Sequence, residues 1–336
     1  MINKKTKFCK AAALLGAAVM MISALAGCGK NTKVVLTAGL KKNEVFRISS
    51  ASCVLPEVMV YLTNMQNQYE SVYGSQIWNA SDGQLSLEQE EREQVLTQLA
   101  RIKVMNLLAQ KKEVTLDDKE KERAAAAGRE YFTSLNSAEV TALNVTQDLI
   151  TKMYEEYALA EKVYQTIVEN VNPEVSDDEA RTITVDMIRV SDSAKASQVL
   201  GKAKEEGVDF ETLAQAESED QTVMQSFGKG EVSEALEKAA FNLGKDEISD
   251  VVESDGSYYI LKCISTFDEA QTKANKEKIV KQRQSEAFDT EYTAFEQTLV
   301  RQLNEELWDS VTMIHQDDVK TSSFFEVYQM YFKHQE

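Results

Sequence analysis

Two stretches far apart in the chain each carry an apolar stripe at helical spacing. Ile150, Met153, Tyr157, Ala160, Tyr164, Ile167 and Val171 make the first; Phe288, Tyr292, Phe295, Leu299, Leu303 and Leu307 make the second, within a helical pattern running from Phe267 to about Asp309. A long helix with one such face is not stable by itself in water, because burying that face supplies most of its stability. The most economical partner for the second rod is the helical set to which the first belongs. Only two prolines, Pro56 and Pro173, occur in 336 residues, so little interrupts helices. The pattern predicts a helical domain built from both ends of the chain, with the intervening segment inserted into it.

The N-terminal share of that domain is legible in some detail. Val34 to Ile48, "VVLTAGLKKNEVFRI", alternates about a Gly-Leu-Lys-Lys-Asn turn and predicts a hairpin. A helix follows, with Pro56 suited to its first turn and Gly74 to its stop. Val95, Leu99, Ile102, Met105 and Leu108 mark a second helix, and Thr115 to Leu135 a third, with Asp117 and Asp118 at its dipole-favoured front. The helix of the first stripe is predicted to stop before Pro173, and Val311 to Ile314 to return as a strand beside the hairpin.

Between the rods the pattern changes. Asn172 to Ala180, "NPEVSDDEA", reads as a joint. Beyond it, "RTITVDMIRV" alternates as a strand; "SDSAKASQVLGKAKEEG", "DFETLAQAES" and "SEALEKAAFNL" read as helices; "EISDVVES" and "SYYILKCIS" read as strands. That order describes a compact α+β unit.

Lys4, Lys5, Lys7 and Lys10 precede the uncharged run Ala11 to Gly27, which has the shape of a secretory signal. Its end, "LAGC" at Leu25 to Cys28, resembles the bacterial lipobox, which implies that Cys28 is lipidated and becomes the anchor of an extracytoplasmic protein on the cell membrane. A net charge of −18 repels phosphate backbones and argues against nucleic-acid binding. Cys53 and Cys263 remain after the anchor; nothing in their positions brings them together, and lone cysteines usually serve as small buried hydrophobes. No zinc spacing occurs, and no metal or other cofactor is expected. The only histidines, His315 and His334, lie near the C-terminus, which disfavours Ser-His-Asp or Cys-His chemistry.

The inserted unit resembles the parvulin-type peptidyl-prolyl isomerases. The matching residues are "VDFETLAQAESED" (Val208 to Asp220), "FGKGEVSEALEKAAFNLGKDEISDVVES" (Phe227 to Ser254) and "YYILK" (Tyr258 to Lys262). Together with the lipobox and flanking helices, they make the chain similar to the PrsA foldase lipoproteins and, more distantly, to the SurA chaperones. The resemblance implies an α+β fold: a mainly helical chaperone domain from the N- and C-terminal segments, and an inserted parvulin-like domain with a four-stranded antiparallel sheet. The implied divisions are a signal peptide at 1–27, tether and hairpin at 28–52, helical domain at 53–172, linker at 173–180, parvulin-like domain at 181–266, a long helix at 267–315 and a tail at 316–336.

The family's two facing histidines correspond here to Met187 and Tyr259, so both are replaced, while Asp220 keeps the position of a family cysteine or aspartate. Phe227, Val232 and Leu236 are the implied substrate-binding residues, and Gln221 to Ser226 is a shortened loop. Two roles remain open for Met187 and Tyr259: packing the sheet as core, or a Tyr259 hydroxyl supporting Asp220. The implied partners are unfolded or proline-containing exported polypeptides and, through the lipid anchor, the membrane. The implied activity is that of a foldase whose isomerase domain is weak or inactive; the alternatives are an active isomerase and a non-catalytic envelope scaffold. Met59, Met65, Tyr69, Tyr73 and Trp78 would line a client cradle or form ordinary core.

Overall fold

The computed structural model describes residues 39–80 and 86–333. Cys28, the leader and the first half of the expected hairpin lie outside them. Strands β1 (Glu44–Ile48) and β2 (Ala51–Val54) form an antiparallel hairpin through Ser49, whose φ is 48°. In this hairpin Glu44–Ile48 is the first arm, while the arm expected from Val34 lies outside the described residues.

Among the described residues five α-helices follow. In α1 (Leu55–Tyr73) Pro56 occupies the first turn and Gly74 the C-cap, as expected. Helix α2 (Leu87–Lys111) starts on a Ser86–Gln89 capping box and α3 (Asp118–Ser134) on an Asp117–Glu120 box. A short α4 (Ser137–Leu143), which no apolar stripe announced, is capped by Asn136 and closed by Asn144 in the left-handed region at φ 51°. Helix α5 (Gln147–Val168) buries Ile150, Met153, Tyr157, Ala160 and Ile167. It ends at Val168, so Val171 lies beyond the stripe to which it was assigned.

After the short α6 (Asp177–Ala180) come β3 (Thr182–Val190), α7 (Ser193–Ala203), α8 (Phe210–Glu217), β4 (Met224–Gly228), α9 (Glu234–Phe241), β5 (Val252–Ser254) and β6 (Ser257–Ser265). These strands form one antiparallel sheet in the order β4-β3-β6-β5. Strand β4 has no counterpart in the order expected from the sequence; it begins inside the expected loop, Gln221 to Ser226. Asp255 and Gly256, at φ 50° and 73°, make the two-residue turn that joins β5 to β6.

Helix α10 (Glu269–Glu296) is followed by β7 (Arg301–Leu303), α11 (Glu305–Asp309) and α12 (Phe324–Phe332). The chain divides into two compact units: residues up to Asn170 with those from Ala287 onward, and Val171–Glu286. The fold is thus α+β, with a unit built on a four-stranded antiparallel sheet inserted into a helical one.

Three expectations for the C-terminal segment are corrected. The rod does not run to Asp309. It stops at Glu296, where Thr298 turns back to donate its N–H at 2.9 Å and its hydroxyl at 2.6 Å to the Phe295 carbonyl. The strand returning to the hairpin is β7, not Val311–Ile314; it pairs Leu303, Gln302 and Arg301 with Phe46, Arg47 and Ile48. Residues 316–336 are not a mere tail: Val319 and Phe324 are buried, and the Phe324 ring stacks on Tyr154 with centroids 4.5 Å apart. The side-chain amides of Gln66, Asn67 and Gln68 on α1 donate to the carbonyls of Ile314, Val319, Thr321 and Ser322 and so hold this segment. The mutual burial of the two ends does hold, since Phe288 packs on Tyr164 at 5.1 Å and Arg101 lies over the Phe288 and Tyr292 rings.

Candidate functional site

Alternation along β3 and β6 gives the inserted sheet two apolar faces. On one, Ile188, Val190 and Ile260 pack under α7 and α8 with Val199 and Phe210. On the other, Ile183, Val185 and Met187 of β3, Phe227 of β4, and Leu261 and Cys263 of β6 pack under α9 with Leu236 and Ala240. Val232, Phe241, Val252 and Tyr259 border this second cluster. The adjacent Tyr258 and Tyr259 thus serve opposite faces.

Five of the six expected site positions meet on the second face: Met187, Phe227, Val232, Leu236 and Tyr259. Met187 is 7% exposed and opposes Leu261 across the ladder, while Tyr259 opposes Arg189. Helix α9 is set over this face by its cap, in which Ser233 accepts from the Leu236 N–H at 3.4 Å. The Ser254 hydroxyl fixes Ser233 at 2.7 Å. The preceding loop is braced from within, since Glu231 accepts from the Gly228 N–H at 2.8 Å and Glu237 from the Gly230 N–H at 2.6 Å.

The sixth position, Asp220, lies just after α8. Its segment is fastened to β3 at one residue: the Ser218 hydroxyl accepts from the Arg189 and Asp220 N–H groups at 3.1 and 3.2 Å, and the Glu219 N–H donates to the Arg189 carbonyl at 2.8 Å. The carboxylate then accepts from Arg189 Nε at 2.8 Å, and Arg189 Nη1 donates to the Ser257 hydroxyl at 3.1 Å. The bond to Asp220 pushes the Arg189 pKa further up. The partner of Asp220 is therefore Arg189, not the Tyr259 hydroxyl, which makes no hydrogen bond among the described residues. The geometric reason is register: Arg189 stands two residues beyond Met187 on the same face, next to the Asp220 segment, and reaches it first.

Arg189 is a site residue that the motif comparison does not single out; its signal in the sequence is an arginine two places along from Met187 on an alternating strand. Cys263 is buried in the sheet and Cys53 in the helical unit, both as free thiols. Met59, Met65 and Tyr69 pack against the helical core, and Trp78 is buried with its indole N–H donating to Glu70 at 2.8 Å. Among the described residues no group of three or more His, Cys, Asp or Glu is placed to hold a metal ion, and no helix is long and apolar enough to cross a membrane.

What the arrangement offers chemically is an apolar floor with one ion pair at its edge. Such a floor suits a small apolar ring, and among the described residues nothing in it is a nucleophile placed beside a base. Isomerisation of an Xaa–Pro bond needs neither, since the barrier of about 20 kcal/mol is lowered by binding the twisted amide better than the planar forms.

Residues 145–278 match the family model described as the PPIC-type PPIASE domain. In sequence the chain is 31% identical over 165 residues to the foldase protein PrsA of Streptococcus pneumoniae strain Hungary19A-6, covering 44% of this chain. It spans about half, 53%, of the length of the curated relatives it matches. Among solved structures it is similar to PrsA of Bacillus cereus, at 19% identity and TM-score 0.39 over 72% of this chain and 91% of that one. It is also similar to a SurA-like chaperone of Campylobacter jejuni, at 10% identity and TM-score 0.30 over 77% and 98%. Residues 145–278 of this chain are thus similar to the PPIC-type PPIase domain, and over 165 residues the chain is similar to the PrsA foldases.

Proposed function

We propose that the protein is an extracytoplasmic foldase, anchored to the cell membrane through lipid on Cys28, that holds unfolded exported polypeptides and engages their proline segments with the parvulin-like unit. The observation that carries this reading is the gathering of Met187, Phe227, Val232, Leu236 and Tyr259 on one apolar sheet face, with the Arg189–Asp220 pair at its edge. The names of the PrsA relatives support the same assignment. Isomerase activity is weak on this reading, because the two positions where the family carries histidines hold a methionine, which donates no hydrogen bond, and a tyrosine, which offers a single hydroxyl.

Two measurements test it. Suppression of aggregation of a chemically unfolded exported protein by the purified chain is expected at near-stoichiometric ratios; no suppression at excess chain refutes the foldase reading. Detergent partitioning of the chain expressed in bacteria is expected to be lost in Cys28→Ser; unchanged partitioning refutes the anchor.

A further inference from the structure

We propose that Arg189 is the hydrogen-bond donor of the candidate site and acts directly on the bound peptide, donating to the prolyl nitrogen as the amide twists. The inference rests on the proline-engaging role given above and adds to it the residue that favours the twisted form. Arg189 occupies the face that carries Val185 and Met187, at the position opposite Tyr259. Two of its three nitrogens are committed: Nε to Asp220 Oδ1 at 2.8 Å and Nη1 to Ser257 Oγ at 3.1 Å. Nη2 makes no hydrogen bond among the described residues. The side chains of Arg189 and Asp220 are 31% and 32% exposed, so the pair is open to a docked peptide.

The chemistry selects this group. A planar amide shares its nitrogen lone pair with the carbonyl, and the nitrogen accepts no hydrogen bond. Rotation about the C–N bond breaks that conjugation and returns the lone pair to nitrogen, so a donor aimed there binds the twisted amide and ignores both planar forms. No covalent bond forms or breaks and no proton moves. Guanidinium suits the task because it stays charged and presents its donors in a fixed fork. Asp220 is then a positioning residue. By holding Nε, and with Ser257 holding Nη1, it leaves Nη2 as the edge available to substrate, while Met187, Phe227 and Leu236 supply the floor for the proline ring.

The test uses the full-length mature chain and a fluorescent Ala-Leu-Pro-Phe peptide, whose cis–trans exchange is read by NMR exchange spectroscopy and whose Kd is read by anisotropy. Arg189→Leu is expected to lower the catalysed exchange rate about tenfold or more, with a Kd change under about threefold. Arg189→Lys is expected to fall between, and Asp220→Asn to lose exchange with little change in Kd. Circular dichroism spectra and melting of each variant establish that the sheet unit is folded. Three results would overturn the proposal: unchanged exchange in Arg189→Leu, equal losses of exchange and affinity, or a wild-type chain that binds the peptide without accelerating exchange. Each is separable from failure of the foldase reading, which the aggregation assay reports independently.

Discussion

Replacing Lys103 with methionine probes a charge centre on which the helical unit depends. Its ammonium, 1% exposed, donates at 2.6 Å to Glu57 Oε1 and at 2.6 Å to Glu156 Oε2. Glu57 is equally buried, and its other oxygen accepts from the Val54 N–H at 2.7 Å, closing the N-terminus of α1. Burial alone would lower the Lys103 pKa, but the two carboxylates outweigh it and hold the group above its ordinary value, so the lysine stays charged. Removing it strands the Glu57 carboxylate, at a cost of about 3–5 kcal/mol for a buried pair broken on one side. Glu156 is partly exposed and has Lys152 at 3.4 Å, so the penalty falls mainly on Glu57. Adding Glu57→Gln removes the stranded charge and keeps an acceptor for Val54, so the double variant is expected to recover at least about half of the loss. Both tryptophans, Trp78 and Trp308, are buried in this unit, so urea unfolding followed by tryptophan fluorescence reports on it alone. A loss below about 1 kcal/mol in Lys103→Met, or a double variant no more stable than the sum of the single effects, would refute the coupling.

Three further outcomes follow from the same unit. Burial raises the Glu91 carboxyl to about 7, and its Oε1 has no hydrogen-bond partner among the described residues. An acid whose folded pKa exceeds its unfolded value carries no penalty at low pH and a growing one as pH rises through that window. Glu91→Gln should therefore stabilise by less than about 1 kcal/mol near pH 5 and by about 3 kcal/mol near pH 8, and equal urea-midpoint shifts at the two pH values would contradict this. A Cβ at Gly128 would meet the Thr151 Cα at 2.8 Å, where α3 crosses α5. Gly128→Ala is expected to cost about 1–3 kcal/mol by overpacking, read as a lowered urea midpoint. Phe324 is fully buried among Tyr61, Tyr131 and Tyr154, so Phe324→Ala should cost about 3–5 kcal/mol in the same assay, and a near-neutral result would mean that α12 contributes little to the core.

The sequence is legible where one residue determines one feature. Pro56, Gly74 and Asp117 set helix ends, and the alternation through "DMIRV" and "YYILK" set the faces on which Met187 and Tyr259 stand. The sequence is not legible where a nonlocal partner decides the outcome. Leu299 and Leu303 continue the spacing of Phe295, and no Gly or Pro intervenes, so the pattern alone extends the helix. What ends it is the Thr298 cap together with the edge of the hairpin, to which Arg301–Leu303 pairs, and neither leaves a periodic trace. The C-terminal segment is the opposite case, for Phe324, Phe325, Tyr328, Tyr331 and Phe332 fall at helical spacing and so carry the signal of the helix that forms there, against the expectation of a tail.

Arg189 is the instructive residue between these cases. A strand whose alternate positions are Ile183, Val185 and Met187 and then Arg189 places a guanidinium at the end of an apolar face, and a cation so placed requires an anion or water within reach. Asp220 is the acid that the resemblance implies at that edge. The ion pair was thus legible as a requirement of the alternation, although its geometry, fixed by the Ser218 hydroxyl and the main chain of Arg189, was not. On the proposed function the same reasoning accounts for the two replacements that the resemblance implies: Met187 and Tyr259 take two donors from the floor and leave a charged donor, Arg189, at the rim, held by Asp220.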